Sequence, residues 1–187
     1  MCGRSYFPSK RSITSQIKID RIGKQAIDSS KEEFLLPGSQ IPTIVSTEKY
    51  GRVLTSSHWG YGDIYNARAE TIELTAMWSR DYFEHRAILP VKAFFEGKWF
   101  TSANDGEILW AAAIYRPVET KTKTIIQTSM ITVEANQLVR NYHHRMPALI
   151  DKSNIDKWLN VELGIYESIR EGSEQIRVSD ALLSRNN

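Results

Sequence analysis

Beyond Pro90, apolar and β-branched positions come in short runs broken by turn residues, and that spacing predicts strands joined by hairpins. The runs are Val91 to Phe95, Lys98 to Ser102, Ile108 to Tyr115 and Thr122 to Thr132. Asn104-Asp105-Gly106 lies between two of them, and Asp before Gly supplies the positive φ that a tight hairpin needs. Two earlier runs, Ile41 to Val45 and Arg52 to Trp59, also predict strands, with Gly60 and Gly62 ending the second. Leu36-Pro37-Gly38 is a turn signal. From Thr71 to Phe83 the apolar positions Ile72, Leu74, Ala76, Met77, Trp78 and Phe83 fit a helix better than alternation. Glu134 to Tyr142 predicts a short helix and Pro147 to Ile150 a short strand. Ser153 or Asn154 stands where it would cap a helix carrying Ile155, Trp158 and Leu159. Residues 9–34 are polar with scattered isoleucines, which predicts one or two loosely amphipathic helices. Strands mixed with a few helices, without regular β-α alternation, define the α+β class: a mixed or antiparallel β-rich core flanked by short helices.

Composition narrows this picture. The 187 residues and 41% hydrophobic content suit one domain over 1–187 with a real core, and predict a charged, extended tail from about residue 165. The net charge of +2 is too small to imply a polyanionic partner by itself. No run of about 18 apolar residues predicts a membrane span. The first residues lack the apolar stretch of a secretory signal, so a cytoplasmic setting is expected, nucleoid-associated in a bacterium. One cysteine rules out an internal disulfide and the cysteine-rich zinc sites, and no metal or cofactor is expected.

That cysteine is residue 2. Methionine aminopeptidases remove Met1 when a small residue follows, which would leave Cys2 with both an α-amine and a thiol. Unperturbed, these groups titrate at about 7.7–8.0 and about 8.5, so each has a reactive fraction near neutral pH. With an aldehyde, a 1,2-aminothiol forms a Schiff base and then closes a thiazolidine ring, the second step being intramolecular and fast for that reason. Four other segments concentrate chemistry. Asn66, Arg68 and Glu70 share the stretch Tyr65-Asn66-Ala67-Arg68-Ala69-Glu70-Thr71. Glu96 ends an apolar strand after Phe94 and Phe95. His143 and His144 precede Arg145, and Trp59 stands at a turn. Bland readings stay open for each: Arg68 and Glu70 as a plain ion pair, Glu96 as a solvated strand end, Trp59 as core.

Cys2-Gly3-Arg4, Asn66-Ala67-Arg68-Ala69-Glu70-Thr71 and His143-His144-Arg145-Met146-Pro147, in this order, resemble the SOS response-associated peptidase (SRAP) family. Pro37-Gly38, Trp59-Gly60, Phe94-Phe95-Glu96, Ala135-Asn136, Trp158-Leu159 and Val178-Ser179 extend the resemblance along nearly the whole chain. It implies a barrel-like core, a monomer, and a protein that shields abasic sites in single-stranded DNA through a covalent thiazolidine crosslink at Cys2. It implies Glu96 and His143 as proton-handling groups and Asn66 as the residue that orients Cys2. Arg4, Arg68 and Arg145 would meet phosphates, while Pro37 and Trp59 would stack or wedge against bases. The chain departs from the family pattern at Gly97, where a Trp usually follows the Glu, and at Ala87, where many members have Cys. Two other classes compete: an N-terminal-nucleophile hydrolase using Cys2, His143 and Asn66, and a non-catalytic single-stranded DNA binder. Strand cleavage by β-elimination is a possible side activity of a Schiff base at C1′.

Overall fold

The computed structural model describes residues 3–23, 31–169 and 176–180. Thirteen strands run among them: β1 (Ser5–Phe7), β2 (Arg21–Ile22), β3 (Glu33–Leu35), β4 (Gln40–Thr47), β5 (Gly51–Trp59), β6 (Asn66–Arg68), β7 (Arg86–Val91), β8 (Ala93–Glu96), β9 (Trp99–Ala103), β10 (Leu109–Glu119), β11 (Thr124–Glu134), β12 (Arg145–Pro147) and β13 (Ile176–Asp180). The helices are short: α1 (Lys10–Gln16), α2 (Ser79–Glu84), α3 (Gln137–Arg140), α4 (Ile155–Leu159) and α5 (Ile165–Ser168). The architecture is the expected β-rich α+β type.

Strands β11, β10, β7, β4 and β5 hydrogen-bond in that order, and β5 returns to pair with β11, so five strands close a barrel. All the ring pairings are antiparallel except this closing one, in which Gln127 faces His58 and Thr128 faces Trp59. Strand β10 shows why the ring packs tightly. Ala111, Ala112 and Ala113 are fully buried, so that stretch is covered on both faces and carries small side chains where neighbours approach closely. Inside the barrel the hydroxyls of Thr43 and Ser57 share a hydrogen bond of 2.6 Å, which satisfies two buried polar groups. A second sheet, in the order β13-β9-β8-β1-β3, packs against the barrel and contributes Phe7 and Phe94 to the core.

Several expected elements differ. Thr71 to Phe83 is a run of turns leading into α2. The carbonyl of Thr71 accepts from the backbone N–H groups of Leu74 and Thr75 and from the Thr75 hydroxyl, which winds the chain before a helix starts. Leu74 is 85% exposed, so the apolar pattern there did not mark one buried face. Glu134 to Tyr142 holds only α3, capped by Asn136, whose side chain accepts from the Val139 N–H at 3.0 Å. The strand expected at Pro147 to Ile150 is β12, followed by single bridges at Leu149 and Ile150. The first turn before α4 is capped by Asp151, which accepts from the Ser153 N–H at 2.9 Å, while Asn154 makes no side-chain cap. Residues 9–34 hold α1, β2 and β3, with 24–30 outside the described residues. Beyond residue 164 the described residues form α5 and the extended strand β13, which pairs with β9 in the second sheet.

Arg145 ties the flanks of β11 together. On β11, Thr132 pairs with Pro147 of β12 on one side and with Arg68 of β6 on the other. From β12, the Arg145 guanidinium donates to the Thr132 carbonyl at 2.6 Å and, through both terminal nitrogens, to the Glu70 carboxylate at 2.6 and 3.0 Å. The Arg145 side chain is 7% exposed and that of Glu70 37%. Hydrogen bonds from Arg145 are the main cause that holds the Glu70 carboxyl below its ordinary value. Arg145→Ala should cost about 2 kcal/mol, since it strips charge-assisted bonds from a half-exposed carboxylate and a buried carbonyl. Urea unfolding would show this as a lower midpoint with an unchanged slope. A depressed folded-state carboxyl contributes stability above its unfolded value and loses it as pH falls through the folded one. The stability gap between wild type and Glu70→Gln should therefore be full at neutral pH and shrink in acid.

Candidate functional site

The first strand sets the site. β1 runs antiparallel to β8, with Ser5 facing Phe94, and the Phe95 N–H donates to the Arg4 carbonyl at 3.0 Å. Arg4 and Ser5 are thereby fixed beside the end of β8, where Glu96 stands. Glu96 faces Trp99 across a two-residue hairpin loop. The first loop residue, Gly97, has φ +59°, the left-handed backbone that such a turn requires and that side chains rarely adopt. A Trp there would be strained, which gives the departure from the family pattern a local reason.

His143 comes from the loop between α3 and β12. Its Nε2 lies 3.6 Å from Oε2 of Glu96, with side-chain exposures of 19% and 12%. Its Nδ1 lies 3.0 Å from both the backbone N and O of Arg145. Nδ1 can accept from the Arg145 N–H or, when it carries the proton, donate to the Arg145 carbonyl, and in either tautomer Nε2 faces Glu96. Two flanking rings fasten the loops that carry the pair. Trp99, just past the hairpin, packs on Tyr142, just before His143, with centroids 4.6 Å apart. Sequence reasoning missed both; their adjacency to the turn and to His143 was the available signal. The His144 ring lies 4.4 Å from that of His143.

The remaining predicted residues fall into three groups. Asn66, buried, and Arg68, exposed, enter from β6, on the flank of β11 opposite β12. Arg68 lines an open groove with Glu134, Arg140, His144 and Arg145. In that lining Arg145 is committed to Glu70 and Arg140 lies 3.4 Å from Glu134, so exposed Arg68 is the guanidinium the groove offers to an anion; Arg140 was not anticipated. Arg4 is exposed; its guanidinium lies over the Phe95 ring at 4.6 Å and donates to the Gly97 carbonyl at 3.4 Å. Pro37 is half-buried in the turn before β4, where Gly38 N–H donates to the Trp59 carbonyl.

Two expectations are corrected. Trp59 is not a stacking platform for bases: its side chain is fully buried, its indole N–H donates to the Tyr65 carbonyl at 3.3 Å, and Phe7 and Tyr65 meet it edge-on. Arg145 is not a free phosphate ligand, because both terminal nitrogens are already bonded to Glu70 and Thr132. The alternative ion pair of Glu70 with Arg68 is likewise replaced by the pair with Arg145. Cys2 lies outside the described residues. Among the described residues no group of three or more His, Cys, Asp or Glu is placed to hold a metal ion, and no helix is long and apolar enough to cross a membrane.

Comparison with known proteins places the chain in a family. The chain is 25% identical over 182 residues to the abasic site processing protein YoqW of Bacillus subtilis, covering 86% of this chain and 80% of that one. It is 24% identical to YobE of the same organism, with 86% and 82% covered. A yeast abasic site processing protein, YMR114C, is 26% identical over 108 residues, which is 52% of this chain and 29% of the yeast one. Among solved structures, a protein from Bordetella bronchiseptica superposes with a TM-score of 0.80 at 14% identity, over 96% of this chain and 99% of that one. A protein from Bacteroides thetaiotaomicron does so at 0.73 and 20% identity, over 96% and 91%. The model of the SOS response associated peptidase (SRAP) family matches residues 1–179, and this chain belongs to that family.

Proposed function

We propose that this protein processes abasic sites in single-stranded DNA by forming a covalent crosslink through Cys2, shielding the lesion as part of the response to DNA damage. The observation that carries the reading is the Glu96–His143 pair, 3.6 Å apart at the strand end beside which β1 fixes the chain start. In the sequence Cys2 precedes Arg4 by two residues, and Arg4 pairs beside that strand end. The relatives' names supply the substrate class.

An abasic sugar is mostly a closed hemiacetal. A base takes the proton of the C1′ hydroxyl, the C1′–O4′ bond breaks and O4′ gains a proton, which opens the ring to the C1′ aldehyde. After Met1 is removed, the α-amine adds to C1′, and loss of water leaves a Schiff base. The thiol then adds to the imine carbon: an S–C bond forms, and the thiol proton goes to nitrogen. No oxidant or cofactor is needed. Each step before ring closure moves a proton, and a carboxylate next to an imidazole is suited to accept and return them. Glu96 serves ring opening and dehydration, His143 the sugar oxygen, and Asn66 orients Cys2. Arg4 and Arg68, both exposed, pair with flanking phosphates.

The test is a single-stranded oligonucleotide with one abasic site, incubated with protein confirmed to start at Cys2 and run on a denaturing gel. Wild type should give a slow band without borohydride, and Cys2→Ala none. No band from wild type overturns the reading; release of a cleaved peptide or amide would favour a hydrolase instead. Glu96→Gln should slow band formation about a hundredfold, and an unchanged rate removes Glu96 from the mechanism. Affinity should fall as salt rises, and Arg4→Ala or Arg68→Ala should each flatten that slope by about one phosphate contact. A salt-independent affinity would remove both assignments.

A further inference from the structure

We propose that the outer face of the second sheet is a stacking platform for the single-stranded DNA that flanks the lesion, with Phe34 as its base-contacting ring. This rests on the function proposed above and extends it to a surface outside the Glu96–His143 site.

Alternation along β1 divides its side chains. Ser5 and Phe7 are buried toward the core, so Arg4 and Tyr6 point outward. Residues opposite one another in a sheet share a face. Tyr6 faces Phe34 on one side and Ala93 on the other; Ala93 faces Ser102, which faces Arg177. That row of the outer face therefore has an exposed aromatic at one end and an exposed guanidinium at the other. The next row holds Arg4, Phe95 and Phe100, with the Phe95 and Phe100 rings stacked 5.6 Å apart.

Phe34 joins the two rows. Its ring meets Tyr6 at 4.5 Å and Phe95 edge-on at 5.2 Å, yet the residue remains 58% exposed. A phenylalanine braced on two sides and open on the third presents a π-face at little entropic cost, which is what base stacking needs. The charge on this face suits a polyanion. Arg4 and Arg177 stand in the two rows and no carboxylate does. Glu32 does approach the face, where it interacts with the Tyr6 hydroxyl, and Lys92 at 2.6 Å offsets its charge. Arg4 donates to the Gly97 carbonyl, one residue past Glu96, so the platform adjoins the edge at which the lesion would sit.

The test uses full-length protein and an unmodified single-stranded oligonucleotide carrying 2-aminopurine, whose fluorescence is quenched when it stacks. Wild type should quench it. Phe34→Ala should lose the quench and bind about tenfold more weakly, with its salt slope unchanged because no phosphate contact is lost. Phe34→Trp should restore both. Leu74→Ala, at an exposed apolar position elsewhere, should behave as wild type. Should Phe34→Ala fold poorly, Phe34→Leu keeps the volume, removes the ring and should lose the quench. Wild-type quench and affinity retained in a folded Phe34→Leu or Phe34→Ala would overturn the platform. If wild type still crosslinks an abasic oligonucleotide in that case, only the platform falls; if wild type forms no crosslink, the function proposed above falls with it.

Discussion

The parallel pairing of β5 with β11 closes the barrel, and it depends on glycine at position 60. There the Gly60 N–H donates to the Thr128 carbonyl at 2.8 Å with φ at +128°. A Cβ at that point would come within 2.8 Å of the Gly62 carbonyl oxygen, a backbone atom with no freedom to move aside. Trp59, immediately before, fills the interior at the closure. Immediately after, Tyr61 and Ile64 bridge in a tight loop, and the chain resumes along β11 as β6. The placement of Asn66 and Arg68 is thus a consequence of closure. This is also why Trp59 has no role at the surface: its size and its bonded indole N–H are used in sealing the ring.

The second sheet solves a different problem, which is to hold the chain start in place. A terminus is ordinarily free unless tied into structure. Here β1 is paired on both sides, by β3 and by β8. The chemistry-bearing groups then come together from separate elements: a hairpin end supplies Glu96 and a loop supplies His143. Their mutual attraction across 3.6 Å is too weak to position two loops. The Trp99–Tyr142 contact and the strand ladders on either side fix the geometry, and the pair benefits from it.

Much of this was legible in the sequence. The strands from Val91 to Thr132 were readable because β-branched runs and Asp105-Gly106 constrain the backbone locally. The proximity of Glu96 to His143, 47 positions later, came only through the family resemblance, since no local pattern encodes it. The failures share one cause. Alternation placed Arg68 and Glu70 on one face, but β6 ends at Arg68, so the period-2 rule no longer applied at Glu70. Its partner, Arg145, lies 75 positions away. Leu74 and Met77 looked like a helix face because their exposure is set by tertiary packing that a linear pattern does not contain. Asp151, rather than Ser153 or Asn154, caps the turn before α4, because a short 3₁₀ segment precedes that helix.

Gly97 shows how a backbone constraint redistributes function. A positive φ in the two-residue loop disfavours a side chain at Gly97, so the turn itself carries no ring there. The aromatic surface at this edge comes from the strands rather than from that turn position. On β8, alternation sends Phe94 inward and Phe95 outward, and returns Glu96 to the inner side. Glu96 and the aromatic face are thereby separated by one peptide unit and by the thickness of the sheet. Under the function proposed above, a strand of DNA crossing that edge at Arg4 would meet a cation first, with Glu96 and His143 on one side and rings on the other. The division follows from the pleat itself, so it holds however the flanking nucleotides are arranged.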